Sequence, residues 1–361
     1  MGRKPKLKLP AIVMGDLADA FRACLLGGAI GDALGAPVEF MSRHQICSRF
    51  GPDGLRDFTD WHHGLGSITD DTQMTLFTAE GVIQAHRNNM PLELSLGIAY
   101  QCWLSTQQNF YCSHLPDGTP VTKWSRLLKD RRLRGQRAPG LTCLDALESK
   151  DTVDALATNT SKGCGGVMRV APIGLYVASR YSADGRQEPS EHNAALAFQL
   201  GSLAAQLTHG HPSGFLSAGA FSAIIFQIVL GQPLRAAVKA SLALLSAQPH
   251  HKETSQAIKQ AVSLAAADKR FSQQSFTELG HGWVAEEALA MSLYCTLTAE
   301  SFADGVICAI NHDGDSDSTG AITGNLLGCL FGLDEIPSNW RASVECADLI
   351  EQMASDLAEL R

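Results

Sequence analysis

The chain carries ten cysteines but no C-x-x-C pair, and most of them, including Cys24, Cys295, Cys308 and Cys329, sit in apolar runs. That pattern argues against a paired-cysteine zinc site, dithiol redox chemistry or a disulfide scaffold, and predicts buried free thiols in a reducing compartment. Charge is scarce as well: Asp, Glu, Lys and Arg make up 18% of the chain, and the formal net charge is −8. An acidic surplus argues against general affinity for nucleic acid. Aromatic residues reach only 7% and alternating β-branched runs are few, which disfavours a sheet-based core and suits close packing of helices around small residues. Met1 to Pro10 is basic, but the apolar stretch after it is too short for a signal-peptide core or a membrane span. Gly2 lacks the Ser or Thr at position 6 that myristoylation asks for. The expectation is a cytoplasmic protein without membrane contact.

What the chain does have is helical periodicity. Apolar residues recur at three- and four-residue spacing over 16–35, 71–88, 192–208, 214–231, 254–267, 284–299 and 340–359. With 45% hydrophobic residues and no low-complexity linker, this predicts a single all-α domain over 15–361, preceded by an arm at 1–14. About a dozen helices are expected. The stretches 41–68, 106–166 and 180–191 read as irregular.

Two glycine series interrupt this pattern: Gly27, Gly31 and Gly35, and Gly320, Gly324, Gly328 and Gly332. A mid-helix glycine costs about 1 kcal/mol relative to alanine, so a repeated one implies that another backbone comes close. Both series adjoin acidic motifs, which suggests that closely packed central helices hold the acidic loops together.

Those motifs are Thr69-Asp70-Asp71-Thr72 and Gly314-Asp315-Ser316-Asp317-Ser318. Adjacent carboxylates repel, and their oxygens, with hydroxyls beside them, suit magnesium, manganese or calcium. Thr69 can also simply cap a helix that starts near Asp70, with both acids in its first turn. The second motif fails as a calcium-binding EF-hand, because Ser318 and Gly324 stand where that loop needs glycine and glutamate. Asp315 to Thr319 matches the D-x-D-x-T nucleophile motif of dehalogenase-type phosphatases but lacks its strand-first context. His312-Asp313 with His62, His63, His209 and His211 leaves a helical metal phosphohydrolase open. Glu39 follows Pro37 at a helix end, and partial burial there would raise its pKa and suit acid–base work.

Taken together, GDALGAPVEF (31–40), SITDDTQMTL (67–76), SKGCGGVMRVAPIGL (161–175), LTHGHP (207–212), GWVAEEALA (282–290) and NHDGDSDSTGAITG (311–324) resemble the ADP-ribosylglycohydrolase family, in family order and across nearly the whole chain after residue 15. The resemblance implies a compact orthogonal multi-helix fold with a binuclear Mg2+ or Mn2+ cleft. It implies metal ligation by Thr69, Asp70 and Asp71 from one side and by Asp315, Asp317 and Ser318 from the other. Glu39 takes the place of an acid/base glutamate. Ser161, Gly163, Cys164, Gly165 and Gly166 fall in the loop that contacts ADP-ribose, and His209 matches a histidine at the ligand. Two departures stand out: Cys164 occupies a usual asparagine position, and Asp313 often corresponds to a smaller residue.

The implied substrate is a mono-ADP-ribosylated protein, and the implied reaction is hydrolysis at the anomeric carbon through an oxocarbenium-like transition state. The attacking water is activated by the metals or by a carboxylate such as Glu39 or Asp70. Backbone N–H groups of 163–166 suit the pyrophosphate, although a tight turn explains the same glycines. GDALGAPVEF looks closer to arginine-directed members. A binding module that sequesters an ADP-ribosyltransferase, as in toxin immunity, is the alternative, with the 1–14 arm or the basic run 129–137 as its contact; a solvated charged loop is the plainer account of that run.

Overall fold

Alanine- and leucine-rich apolar stripes wind into α-helices through nearly the whole of the computed structural model, which describes residues 17–62, 64–108, 121–183, 190–268 and 270–360. Among the described residues the only sheet is a two-stranded antiparallel hairpin pairing Asp60 with Leu65 and Trp61 with Gly64. The expected all-α fold is observed, with more helices than anticipated. The 1–14 arm and His63 lie outside the described residues.

Leu17–Gly35 is the central element, and its residues from Cys24 to Gly35 are all buried. A helix enclosed on all sides has no polar face to keep, so small residues can be placed wherever a neighbour presses closest. The neighbour here is Ser316–Phe331, which runs antiparallel to it. A Cβ built on Gly31 would stand 2.0 Å from the carbonyl oxygen of Gly320, and one on Gly324 would stand 2.0 Å from that of Gly27. The two glycine series thus face each other and bring two backbones into direct contact. Gly332 is the exception: it ends the helix at φ +82°, a left-handed conformation that glycine adopts without strain.

Other differences have plain causes. The periodic stretch 340–359 is two helices, Ser338–Ser343 and Ala347–Ala358, parted at Cys346, which has φ 61°. Leu92–Gln107 carries almost no exposed face, so it lacks a readable polar stripe. Pro212–Val229 is long and apolar enough to cross a bilayer, but 89% of it is buried inside the protein, where it packs beside Glu191–Gln206 as a core helix. The region 41–68, read as irregular, contains the helix Arg43–Phe50, whose N-terminus carries a reciprocal Ser42–Gln45 capping box.

Candidate metal and substrate site

Two helix starts build the site. Asp70–Arg87 begins with Thr69 as its cap, the threonine hydroxyl accepting from the Asp71 amide at 3.1 Å. Such a cap contributes about 1 kcal/mol. Opposite it, Ser316–Phe331 begins with Asp315, whose carboxylate accepts from the Ser318 amide at 3.2 Å. The backbone contact between the glycine series fixes where the second start lies, since Gly35 abuts the Ser316 carbonyl. A residue that sequence reasoning did not single out ties the first start to the same frame. Asp32, fully buried, accepts from the Thr69 amide at 3.0 Å and the Thr72 amide at 3.1 Å, and from the Thr72 hydroxyl. It lies in the GDALG segment of the central helix, where a charge amid apolar residues was the available signal.

The structure brings Thr69, Asp70, Asp71, Asp315, Asp317, Ser318 and Glu39 into one buried region. Oxygens of Glu39, Asp315 and Asp317 lie within 4.8 Å of one another. Asp71 faces Ser318 and stands close enough to Asp317 to repel it. Burial, and then neighbouring negative charge, pushes Asp70, Asp71 and Asp317 well above the usual carboxylate range. Glu39 is raised to about 9, by burial first and then by Asp315, Asp70 and Asp32. Burial alone raises Asp32 to about 6 against the pull of its hydrogen bonds to Thr72 and Thr69.

The donor set fits divalent cations. Buried oxygens Oε2 of Glu39 and Oδ2 of Asp71 have no hydrogen-bond partner, and among the described residues no lysine or arginine pairs with the cluster. Uncompensated carboxylates at this depth are costly unless protonated or bound to a cation. Hard oxygen donors suit magnesium, manganese or calcium over softer metals.

A glycine loop forms the adjoining wall. Lys162 anchors it by pairing with Glu286 at 2.5 Å and Glu253 at 2.5 Å. Gly163 pairs with Val284, and the Cys164 amide donates to the Trp283 carbonyl at 3.3 Å. The Gly163 amide donates to the Ser161 hydroxyl at 3.3 Å, so two of the amides suited to a pyrophosphate already serve the fold. Where an asparagine was expected, the Cys164 thiol donates to Asp315 Oδ2 at 2.7 Å, which supplies a donor to the cluster in the amide's place. His209 lies fully within the wall, with Gly163, Gly165 and Gly166 packed against its ring. Burial, then the charge of Arg169, lowers it to about 3, so it is a neutral imidazole. Its Nδ1 meets the Thr208 hydroxyl at 2.8 Å. Arg169, also unforeseen, holds the loop from below: it donates to the Gly165 carbonyl at 3.0 Å and the Thr208 hydroxyl at 2.7 Å, and lies 4.3 Å over the Tyr100 ring.

Several candidate residues stand elsewhere. Asp313 accepts from the Arg43 amide at 2.7 Å and so fastens the Arg43–Phe50 helix. His312 is buried against Phe276, its Nε2 at 2.9 Å from the Thr319 hydroxyl. His211 caps Pro212–Val229. Among the described residues no histidine joins a potential metal cluster, so they give the histidine phosphohydrolase arrangement no support. The basic run is solvated in part: Lys129, Arg131 and Arg134 are exposed, while two arginines are tied to acidic partners. Arg137 is buried and meets both oxygens of Glu345 at 2.9 Å, and Arg132 pairs with Asp130 and Asp348, each at 2.6 Å. Those arginines serve the fold.

With this geometry in hand, similarity to known proteins becomes informative. The family model of the ADP-ribosylglycohydrolases matches residues 14–361. The chain is 23% identical to the ADP-ribosyl-[dinitrogen reductase] glycohydrolase of Rhodospirillum rubrum, covering 91% of this chain and 90% of that protein. It is 21% identical to the ADP-ribosylarginine hydrolase Tri1 of Serratia proteamaculans, over 94% of this chain and 79% of that one. A solved ADP-ribosylglycohydrolase-related protein complex shares the fold at a TM-score of 0.65 and 22% identity, covering 96% of this chain and 99% of that one. The chain belongs to the ADP-ribosylglycohydrolase family and is a hydrolase of that kind.

Proposed function

We propose that this hydrolase removes ADP-ribose from a modified protein side chain, arginine in preference to serine, with two Mg2+ or Mn2+ ions held by Thr69, Asp70, Asp71, Asp315, Asp317 and Ser318. The observation that carries this reading is the buried carboxylate cluster with unpartnered oxygens beside a glycine loop. The arginine preference draws on the similarity to the Serratia ADP-ribosylarginine hydrolase. Bound there, the cations would supply Lewis-acid chemistry to the sugar and offset the cluster's charge.

The chain's own groups manage the protons. Glu39, whose oxygens lie beside those of Asp315 and Asp317, is suited to give a proton to the leaving guanidine nitrogen. Asp70 is suited to take a proton from the attacking water. The water oxygen then bonds to the anomeric carbon as the carbon–nitrogen bond breaks, leaving arginine and free ADP-ribose. The Cys164 thiol orients Asp315, and the loop packed on neutral His209 shapes the wall without adding charge beside the pyrophosphate.

The test is release of ADP-ribose from a defined arginine-modified peptide, followed by mass spectrometry with and without Mg2+. Glu39→Gln and Asp70→Asn are expected to lower the rate by roughly 10²–10⁴-fold. Release from serine-modified peptide alone refutes the arginine preference. Asp70→Ala and Asp317→Ala variants that still protect cells from a transferase show sequestration instead of hydrolysis.

A further inference from the structure

Two exposed aromatic side chains stand on segments that border the acidic cluster. Phe40 is 77% exposed and Trp283 is 42% exposed, yet their rings stack on one another, centroids 5.6 Å apart and planes 21° from parallel. Each is tied to the cluster by its own neighbours. Phe40 directly follows Glu39, whose carboxylate lies with those of Asp315 and Asp317. Trp283 offers its carbonyl to the Cys164 amide, and the Cys164 thiol donates to Asp315. Gly282, the residue before Trp283, sits against Asp315 and Thr319. The pair therefore bridges two segments that both border the carboxylates.

A ring as exposed as Phe40 gains little from burial, whereas Trp283 still buries more than half of its surface. Flat aromatic faces on segments that border carboxylates are the chemistry that recognises a delocalised planar cation. A guanidinium stacks on aromatic rings and keeps its charge, and its weak hydration makes leaving water cheap. A serine hydroxyl or its ether offers neither plane nor charge.

We propose that Phe40 and Trp283 are specificity-determining residues that grip the guanidinium of the ADP-ribosylated arginine while its ribose end reaches the carboxylate cluster. This rests on the hydrolase reading above and deepens it by assigning the leaving side chain its own recognition surface. The neighbouring anionic cluster gives the surface its charge complementarity, and the rings give it planarity.

The test compares wild type, Phe40→Ala, Trp283→Ala, Phe40→Tyr and Trp283→Phe on an arginine-modified peptide, with calorimetric binding of free ADP-ribose measured on each. The alanine variants should raise KM about tenfold, the size of a desolvated cation–aromatic contact, while the Kd for ADP-ribose stays within about twofold. The tyrosine and phenylalanine variants should restore KM, because they keep an aromatic face. An unchanged KM in both alanine variants overturns the proposal. So does a parallel weakening of ADP-ribose binding, which would place the rings on the nucleotide. Wild type that releases nothing from the arginine peptide overturns the hydrolase reading itself, and the variants are interpreted only against an active wild type. Thermal melts accompany each variant, and Trp283→Phe keeps the comparison decisive if Trp283→Ala unfolds.

Discussion

Asp32 on the central helix accepts hydrogen bonds from both the backbone amide and the side-chain hydroxyl of Thr72, in the first turn of the helix that carries Asp70 and Asp71. One buried carboxylate thereby orients the turn on which two proposed metal ligands stand. Asp32→Ala leaves the Thr69 and Thr72 amides facing a void and should destabilise the protein by about 2–3 kcal/mol in urea unfolding. It should also blunt any stabilisation by Mg2+, because the turn loses its anchor.

The contact of Gly31 with Gly320 makes a sharper prediction. A methyl group at Gly31 would meet the Gly320 carbonyl, and one at Gly320 would stand 2.3 Å from the Gly31 carbonyl, so neither backbone can yield without moving a helix. Gly31→Ala or Gly320→Ala should cost about 3 kcal/mol or leave the chain insoluble. Native-like stability in either variant, by thermal or denaturant unfolding, would show that the central helices are not in backbone contact.

Removing one carboxylate from the cluster should separate stability from function. Asp317 is pushed up by burial, then by Glu39 and Asp71. Asp317→Asn relieves that repulsion and should raise the melting temperature of the metal-free protein while abolishing the upward shift caused by Mg2+ or Mn2+. Because the ligands must lose their protons to bind metal, the shift in wild type should be larger at pH 8 than at pH 6. Differential scanning fluorimetry with and without chelator reads both effects.

Neutral His209 sets an acid limit on stability that does not depend on metal. The folded pKa of His209 lies near 3, below its ordinary value of 6.5. The unfolded chain therefore takes up a proton that the folded chain refuses. Stability is whole above about pH 6.5 and falls as pH drops from there towards 3. His209→Gln lacks this titration, so its stability relative to wild type should improve steadily below about pH 6.5. A pH-independent difference between the two in denaturant unfolding would show that His209 is not buried as a neutral ring.

Much of this molecule was legible in the sequence for identifiable reasons. The period of apolar residues marked the helices whose one face meets water, such as Lys252–Asp268. It passed over Leu92–Gln107, whose enclosure on all sides erases the pattern. Thr69 before two aspartates announced a helix start, and the start is there. Asp32 was harder, because nothing local says that an acid inside an apolar helix points at a turn 37 residues on. Arg132 and Arg137 were hard to read for the same reason: a run of charge looks solvated throughout until partners such as Asp348 and Glu345 arrive from the far end of the chain.

Local chemistry therefore came from the sequence alone: which stretches wind into helices, which residues cap them, and which side chains carry oxygen ligands. Those properties depend on neighbours three or four residues away, and the chain states them openly. Where the ligands meet was decided only in three dimensions. Glycines at 27, 31 and 35 and at 320, 324 and 328 permit close approach but do not name their partner. Once two backbones touch, the Thr69 and Asp315 helix starts face each other, and carboxylates that would each be solvated alone become one buried, mutually repelling cluster. That repulsion arises from distance and exclusion of water, and neither is a property of any short stretch of sequence.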